Sequence, residues 1–167
     1  MLVLGDVFAV VAALAGIFLT AYAVIVASGL LIGDVLDRSA TITQESLGKS
    51  LVTGILVGLP ALTITLVLSN LPAPLLKVIG LVSLFAVFGI SLIGAAGIAH
   101  MAGRRIQTMD PSMSQFGAFS RATAVLVGAT LFPFVGWMLI APMVLLVGFG
   151  SASRAIFGRT RSLPEAV

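Results

Sequence analysis

The chain has 167 residues, of which 59% are apolar and 9% charged, with a net charge of +3 and a mean hydropathy of +1.21. A water-soluble domain carries about a quarter charged residues, so an aqueous globular fold is excluded at the outset. The absence of cysteine excludes disulfides, thiolate metal sites and thiol nucleophiles, and leaves the redox compartment undetermined.

Four windows carry no formal charge: 7–33, 50–76, 78–103 and 122–153. A bilayer core of roughly 30 Å needs about 20 helical residues, so each window is long enough to span. Continuous apolar runs, rather than alternation, argue against a β-barrel. The sequence therefore predicts one all-α integral membrane domain of four to five helices.

The first window follows Met1-Leu2-Val3-Leu4-Gly5-Asp6, which lacks a basic leader. Its apolar run exceeds a signal peptide's core, and it reads as a retained helix over 3–32. Residues 33–50 carry Asp34, Asp37, Arg38, Glu45 and Lys49 and read as a cytoplasmic linker. Thr41 and Gln44 have the spacing of a capping box, placing the second helix over 42–70. Asn70-Leu71-Pro72-Ala73-Pro74 forms an outer turn, and a third helix follows over 75–101.

The fourth window decides the topology. As one helix its 32 residues would run about 48 Å, well beyond the apolar thickness. Near its middle lies Phe132-Pro133-Phe134-Val135-Gly136-Trp137. Pro133 removes a backbone donor, Gly136 frees the chain to turn, and Trp137 suits a membrane interface. Asp110-Pro111 has the form of an N-cap followed by proline, which gives a hairpin with arms over 111–132 and 136–158.

Positive charge tests that folding independently, since basic residues concentrate in cytoplasmic loops. With the N-terminus outside and five crossings, Arg38, Lys49, Arg104, Arg105, Arg121, Arg154, Arg159 and Arg161 lie inside and only Lys77 outside. A single fourth span moves the last three arginines out and divides the charges five to four. A hairpin that dips in and returns gives the same eight-to-one division, so crossing and re-entrant forms both fit. The basic residues thus mark topology in a multi-pass protein of the cell inner membrane, and no nucleic-acid partner is expected. A second echo is internal: Lys49-Ser50 and Arg121-Ala122 each open a hairpin with a proline-bearing turn, closing at Arg104-Arg105 and at Arg159-Thr160-Arg161.

Eighteen glycines are the largest compositional excess. Gly29 and Gly33, and Gly54 and Gly58, have the four-residue spacing that lets membrane helices approach closely. Gly94, Gly97, Gly103, Gly148 and Gly150 extend such surfaces, either inside the bundle or toward a protein partner or second copy. Proton relays and ion-coupled carriers usually rest on ionisable groups at membrane depth, but all six acids lie at ends or in loops, outside the windows. His100, the one histidine, closes the third helix and is the sole candidate ligand for a pigment or haem. It has no carboxylate neighbour in sequence, so a catalytic triad is unsupported. No catalytic residue, metal site, cofactor or small-molecule substrate is expected. Arg104, Arg105, Arg121, Arg154, Arg159 and Arg161 form a rim suited to anionic lipid headgroups or an acidic partner.

Two stretches carry a family resemblance. One is Ser46-Leu47-Gly48-Lys49-Ser50-Leu51-Val52-Thr53-Gly54-Ile55-Leu56-Val57-Gly58 with the apolar hairpin ending at Ala102-Gly103-Arg104-Arg105. The other is Phe132-Pro133-Phe134-Val135-Gly136-Trp137 followed by Leu146-Val147-Gly148-Phe149-Gly150. Over roughly residues 40–160 they resemble the polytopic membrane region of bacterial bactofilin-like, polymer-forming cytoskeletal proteins. The β-helical polymerising domain of that family has no counterpart in these residues. The resemblance implies a non-enzymatic anchoring or scaffolding role beside a separate polypeptide. A scaffold or accessory subunit is therefore expected, with a small hydroxyl-lined channel or a pigment- or haem-contacting subunit as alternatives.

Overall fold

The computed structural model describes residues 4–157. Seven α-helices are present among them: α1 Leu4–Leu31, α2 Gly33–Glu45, α3 Leu47–Thr53, α4 Leu59–Asn70, α5 Pro74–Met109, α6 Gln115–Leu131 and α7 Ala141–Phe157. Two π-helical turns, Gly54–Gly58 and Gly136–Ile140, lead into α4 and α7. Among the described residues there is no strand. Four helices are long and apolar enough to cross a membrane: Gly5–Leu31, Leu47–Asn70, Pro74–Met109 and Gly136–Phe157. The chain is an all-helical, multi-pass membrane protein.

The two π turns have a shared cause. Each begins at a glycine and precedes a proline by one residue, Leu59-Pro60 and Ala141-Pro142. A proline inside a helix lacks a donor and presses on the carbonyl four residues back. Widening the preceding turn relieves the clash, and the Leu59 and Ala141 amides donate five residues back, to the carbonyls of Gly54 and Gly136. Both spans thus continue through their prolines.

α5 is the axis of the bundle and packs against α1, α2, α4, α6 and α7. Its buried residues are small: Gly80, Ser91, Gly94, Ala95, Ala96, Gly97, Ala99 and Gly103. Without bulky side chains, neighbouring backbones approach closely, which is how membrane helices gain packing energy when burial from water is not available. Larger groups fill the gaps on the α1–α6 side, where Ile25, Leu36, Phe119 and Val127 close a core over Ala95, Ala96 and Ala99.

Three boundaries differ from those the sequence predicts. Residues 33–50 are not a linker, because 33–45 form α2, which lies against α5 and α7. Leu36, Ser39, Ala40 and Thr43 recur at helical spacing and are buried, whereas Asp34, Arg38 and Glu45 stay exposed. Thr41 lies within this helix and donates to the Asp37 carbonyl instead of capping a later one. The third helix continues past residue 101 to Met109, since arginine and glutamine favour helix and no breaker intervenes before Pro111. Asp110 caps no helix: its carboxylate accepts from the Ser112 amide, closing a tight turn around Pro111. The next N-cap is Ser114, whose Oγ accepts from the Gly117 amide, so α6 starts at Gln115.

The last hairpin is short. α6 and α7 both pack on α5 and make little contact with each other. A Cβ on Gly148 would stand 2.6 Å from the Ser91 carbonyl oxygen, while Gly97 and Ser151 both meet Ser39. The pairs 91–148 and 97–151 advance together, so α5 and α7 run parallel. Gly136, twelve residues before Gly148, then lies level with about residue 80 of α5. At 1.5 Å per residue the hairpin tip stops on the order of 10 Å short of the turn between α4 and α5.

Candidate functional site

The polar chemistry of the described residues gathers where α1, α2, α5 and α6 meet at the arginine-bearing end. His100 Nδ1 lies 2.9 Å from Asp37 Oδ1, and Arg104 donates from Nη2 to the same oxygen at 2.8 Å. The imidazole is mostly enclosed, with 14% of its side chain exposed, while Asp37 and Arg104 are half exposed. Its approach to Asp37 is off the axis of an ideal hydrogen bond. His100 also meets Phe119 edge to face, with ring centroids 5.7 Å apart.

Local sequence explains this convergence. Asp37 follows the buried Leu36 on α2, so the stripe that docks α2 carries the carboxylate to α5. His100 and Arg104 are four residues apart and share one face of α5. Asp37 is not among the site residues expected from the sequence, because its partners are more than sixty positions away. The amphipathic period of 36, 39, 40 and 43 is the signal that marks the segment as a docked helix.

Beside this cluster lies a cavity of about 290 Å³, lined by Gly29, Leu30, Gly33, Asp37, His100, Gln115, Phe116 and Phe119. Among the described residues no group of three or more histidine and carboxylate side chains is placed to hold a metal.

The predicted packing glycines fall into two sets. A Cβ on Gly54 would strike the Leu146 carbonyl, one on Gly94 the Gly148 carbonyl, and one on Gly150 the Ser50 carbonyl. Gly58 is placed against Phe149, Gly97 against Ser39, Gly103 against Phe119, and Gly29 against the Phe119 ring. These serve contacts within the chain. Gly33 is different, because a methyl group there would meet nothing within 4 Å.

At the hairpin tip Phe132 is extended, Phe134 has φ 65° and Gly136 is buried against the Ala129 and Thr130 carbonyls. Pro133 and Trp137 are exposed on its outside. Of the arginine rim, Arg104 joins Asp37, and Arg105 and Arg121 are exposed. Arg154 is partly buried, and its Nη1 has no hydrogen-bond partner among the described residues. Arg159 and Arg161 lie outside the described residues.

Most hydroxyls in the spans are taken up locally. Thr20, Ser28, Thr53, Thr63, Ser69, Ser91 and Thr123 each donate to the carbonyl four residues back. Two pairs bridge helices: Tyr22 with Ser120, and Ser39 with Ser151.

No family model matches the chain, and neither a curated protein nor a solved structure shows significant similarity to it.

Proposed function

We propose that the chain is a non-enzymatic scaffold or assembly subunit of the bacterial cell inner membrane, which recruits a partner transmembrane helix along α1. One observation carries this. Gly5, Ala9, Ala12, Gly16, Thr20, Ala23 and Ala27 recur every three or four residues along α1, and all are exposed. At 100° per residue they share the face opposite Phe18, Tyr22, Ile25 and Gly29, which meet the rest of the bundle. Small residues at this spacing let a second helix pack backbone to backbone in lipid.

The short last hairpin supports the same reading. Along the first half of α1, Val7, Phe8, Val10, Val11 and Ile17 are all more than half exposed among the described residues. The hairpin itself reads as re-entrant. Its tip is apolar, and several of its backbone groups are paired within the turn, the Val135, Gly136 and Met138 amides donating to the Pro133, Phe132 and Phe134 carbonyls. On this reading the N-terminus is outside and the arginine-bearing helix ends face the cytoplasm.

Mass measurement of the full chain in mild detergent tests the assembly. A complex with a second copy or a co-purifying membrane protein is expected, and Gly16→Leu with Ala12→Leu is expected to dissociate it while leaving helicity unchanged. A strictly monomeric wild-type protein overturns the proposal.

A further inference from the structure

The cavity between α1, α2, α5 and α6 is built for a particular charge. Among the described residues Asp37 is the only formally charged one in its lining. Arg104 is not part of the lining and is held by Asp37 Oδ1, the oxygen that also faces His100 Nδ1. The second carboxylate oxygen accepts no hydrogen bond among the described residues. The His100 imidazole lies beside that carboxylate, its Nδ1 2.9 Å from Asp37 Oδ1 but off the axis of an ideal hydrogen bond. Gln115 adds an amide that can accept through its oxygen and donate through its nitrogen, and Phe116 and Phe119 add aromatic rings, whose faces carry partial negative charge. Among the described residues the one full charge of the lining is thus negative, and a carboxylate oxygen there is free to accept.

We propose that this cavity binds an organic ammonium group, carried either on an amino-headgroup phospholipid or on a free amine. An ammonium ion supplies donors for the free Asp37 oxygen and the positive charge that the lining lacks, and aromatic faces attract such cations. An anion in the same place would meet Asp37. The volume of about 290 Å³ is at the small end of ligand cavities, and suits a headgroup rather than a larger molecule. Gly33 leaves that space open by having no side chain, whereas the Phe119 ring packs onto Gly29. The position also fits, because the cavity adjoins Leu30 at the end of the first apolar helix, where headgroups lie.

The test uses the full chain in detergent, with native mass spectrometry reading retained lipid. The probes are phosphatidylethanolamine, phosphatidylglycerol and free ethanolamine. Phosphatidylethanolamine retention is expected to fall at least about fivefold in Asp37→Asn, in line with loss of a charge-assisted contact. Gly33→Leu is expected to cause the same loss by filling the cavity. A Cβ at Gly33 meets nothing within 4 Å, so this variant should keep its helicity and thermal midpoint. Phosphatidylglycerol, held by the exposed arginines, should be unchanged in both, and Asp34→Asn should behave as wild type. Displacement by millimolar ethanolamine assigns the site to a free amine, and retention of the lipid against it assigns the headgroup. The proposal is overturned if folded Gly33→Leu and Asp37→Asn both retain phosphatidylethanolamine as wild type does.

Discussion

Gly94 and Gly148 meet backbone to backbone where α5 passes α7, so closely that a methyl group on Gly94 would fall on the Gly148 carbonyl. The same helix carries Gly89, around which a methyl group meets nothing within 4 Å. The two glycines therefore separate packing from helix propensity. Gly94→Ala should force α5 and α7 apart and destabilise the protein by about 1–3 kcal/mol, the usual cost of overpacking. Gly89→Ala should be neutral or stabilising by up to about 1 kcal/mol, because alanine favours helix. Thermal unfolding in detergent should place the two variants on opposite sides of wild type, and equal midpoints would refute the close α5–α7 contact.

The hydroxyl pair of Ser39 and Ser151 ties α2 to α7. Ser39 donates to Ser151 Oγ at 3.0 Å, and Ser151 donates to the Gly148 carbonyl at 3.2 Å; both side chains are fully buried. Interhelical hydrogen bonds in membrane proteins contribute on average about 0.6 kcal/mol by double-mutant cycles. Ser39→Ala and Ser151→Ala should therefore show coupling of that order in unfolding free energy. Additive effects would indicate that the two helices are held by packing alone.

How much of this architecture is legible in the sequence depends on which physical signal each part leaves. Apolar length marks the spans directly, because the bilayer fixes how many residues a crossing needs. Pro133 and Gly136 mark the turn in the long fourth window for the same local reason. The docking of α2 is harder to see, because Asp34, Asp37, Arg38 and Glu45 give the segment the composition of a loop. Only the positions of Leu36, Ser39, Ala40 and Thr43 betray a buried stripe. The Asp37–His100–Arg104 cluster follows from that docking, so a reading that misses α2 as a helix also misses the carboxylate beside His100. Ser114 and Asp110 differ for a subtler reason: both residue types cap helices and both close turns, and short-range sequence does not choose between them.

The Asp37–Arg104 pair is half exposed on both sides, so its contribution should be small and screened by salt. Arg104→Gln is expected to cost at most about 1 kcal/mol at low ionic strength. The difference from wild type should shrink as salt is raised past the point where the screening length falls below about 8 Å. Denaturant unfolding at two salt concentrations measures this. A large, salt-independent loss would mean that the pair is shielded by lipid or by a partner.

The depth of the last hairpin is open to direct chemical measurement, because the chain has no native cysteine. Ala73, in the turn before α5, and Phe134, at the hairpin tip, are both exposed on the protein surface. If the tip ends on the order of 10 Å short of the α4–α5 turn, as a rise of 1.5 Å per residue gives, lipid and not water surrounds Phe134. In intact cells or sealed vesicles, Ala73→Cys should react with a membrane-impermeant maleimide from outside, and Phe134→Cys should not. In detergent of short chain length both should react, which shows that the Phe134→Cys thiol is not buried by protein. External labelling of Phe134→Cys at the rate of Ala73→Cys would instead put the tip in water, and make the last hairpin two full crossings. The backbone of the tip separates the cases independently. Phe134 has φ 65°, a conformation that glycine adopts without the strain it imposes on a bulky residue. Phe134→Gly should then relax the turn while weakening its anchorage in lipid, and so raise the water accessibility of a cysteine at the neighbouring Val135 only if the tip is embedded to begin with.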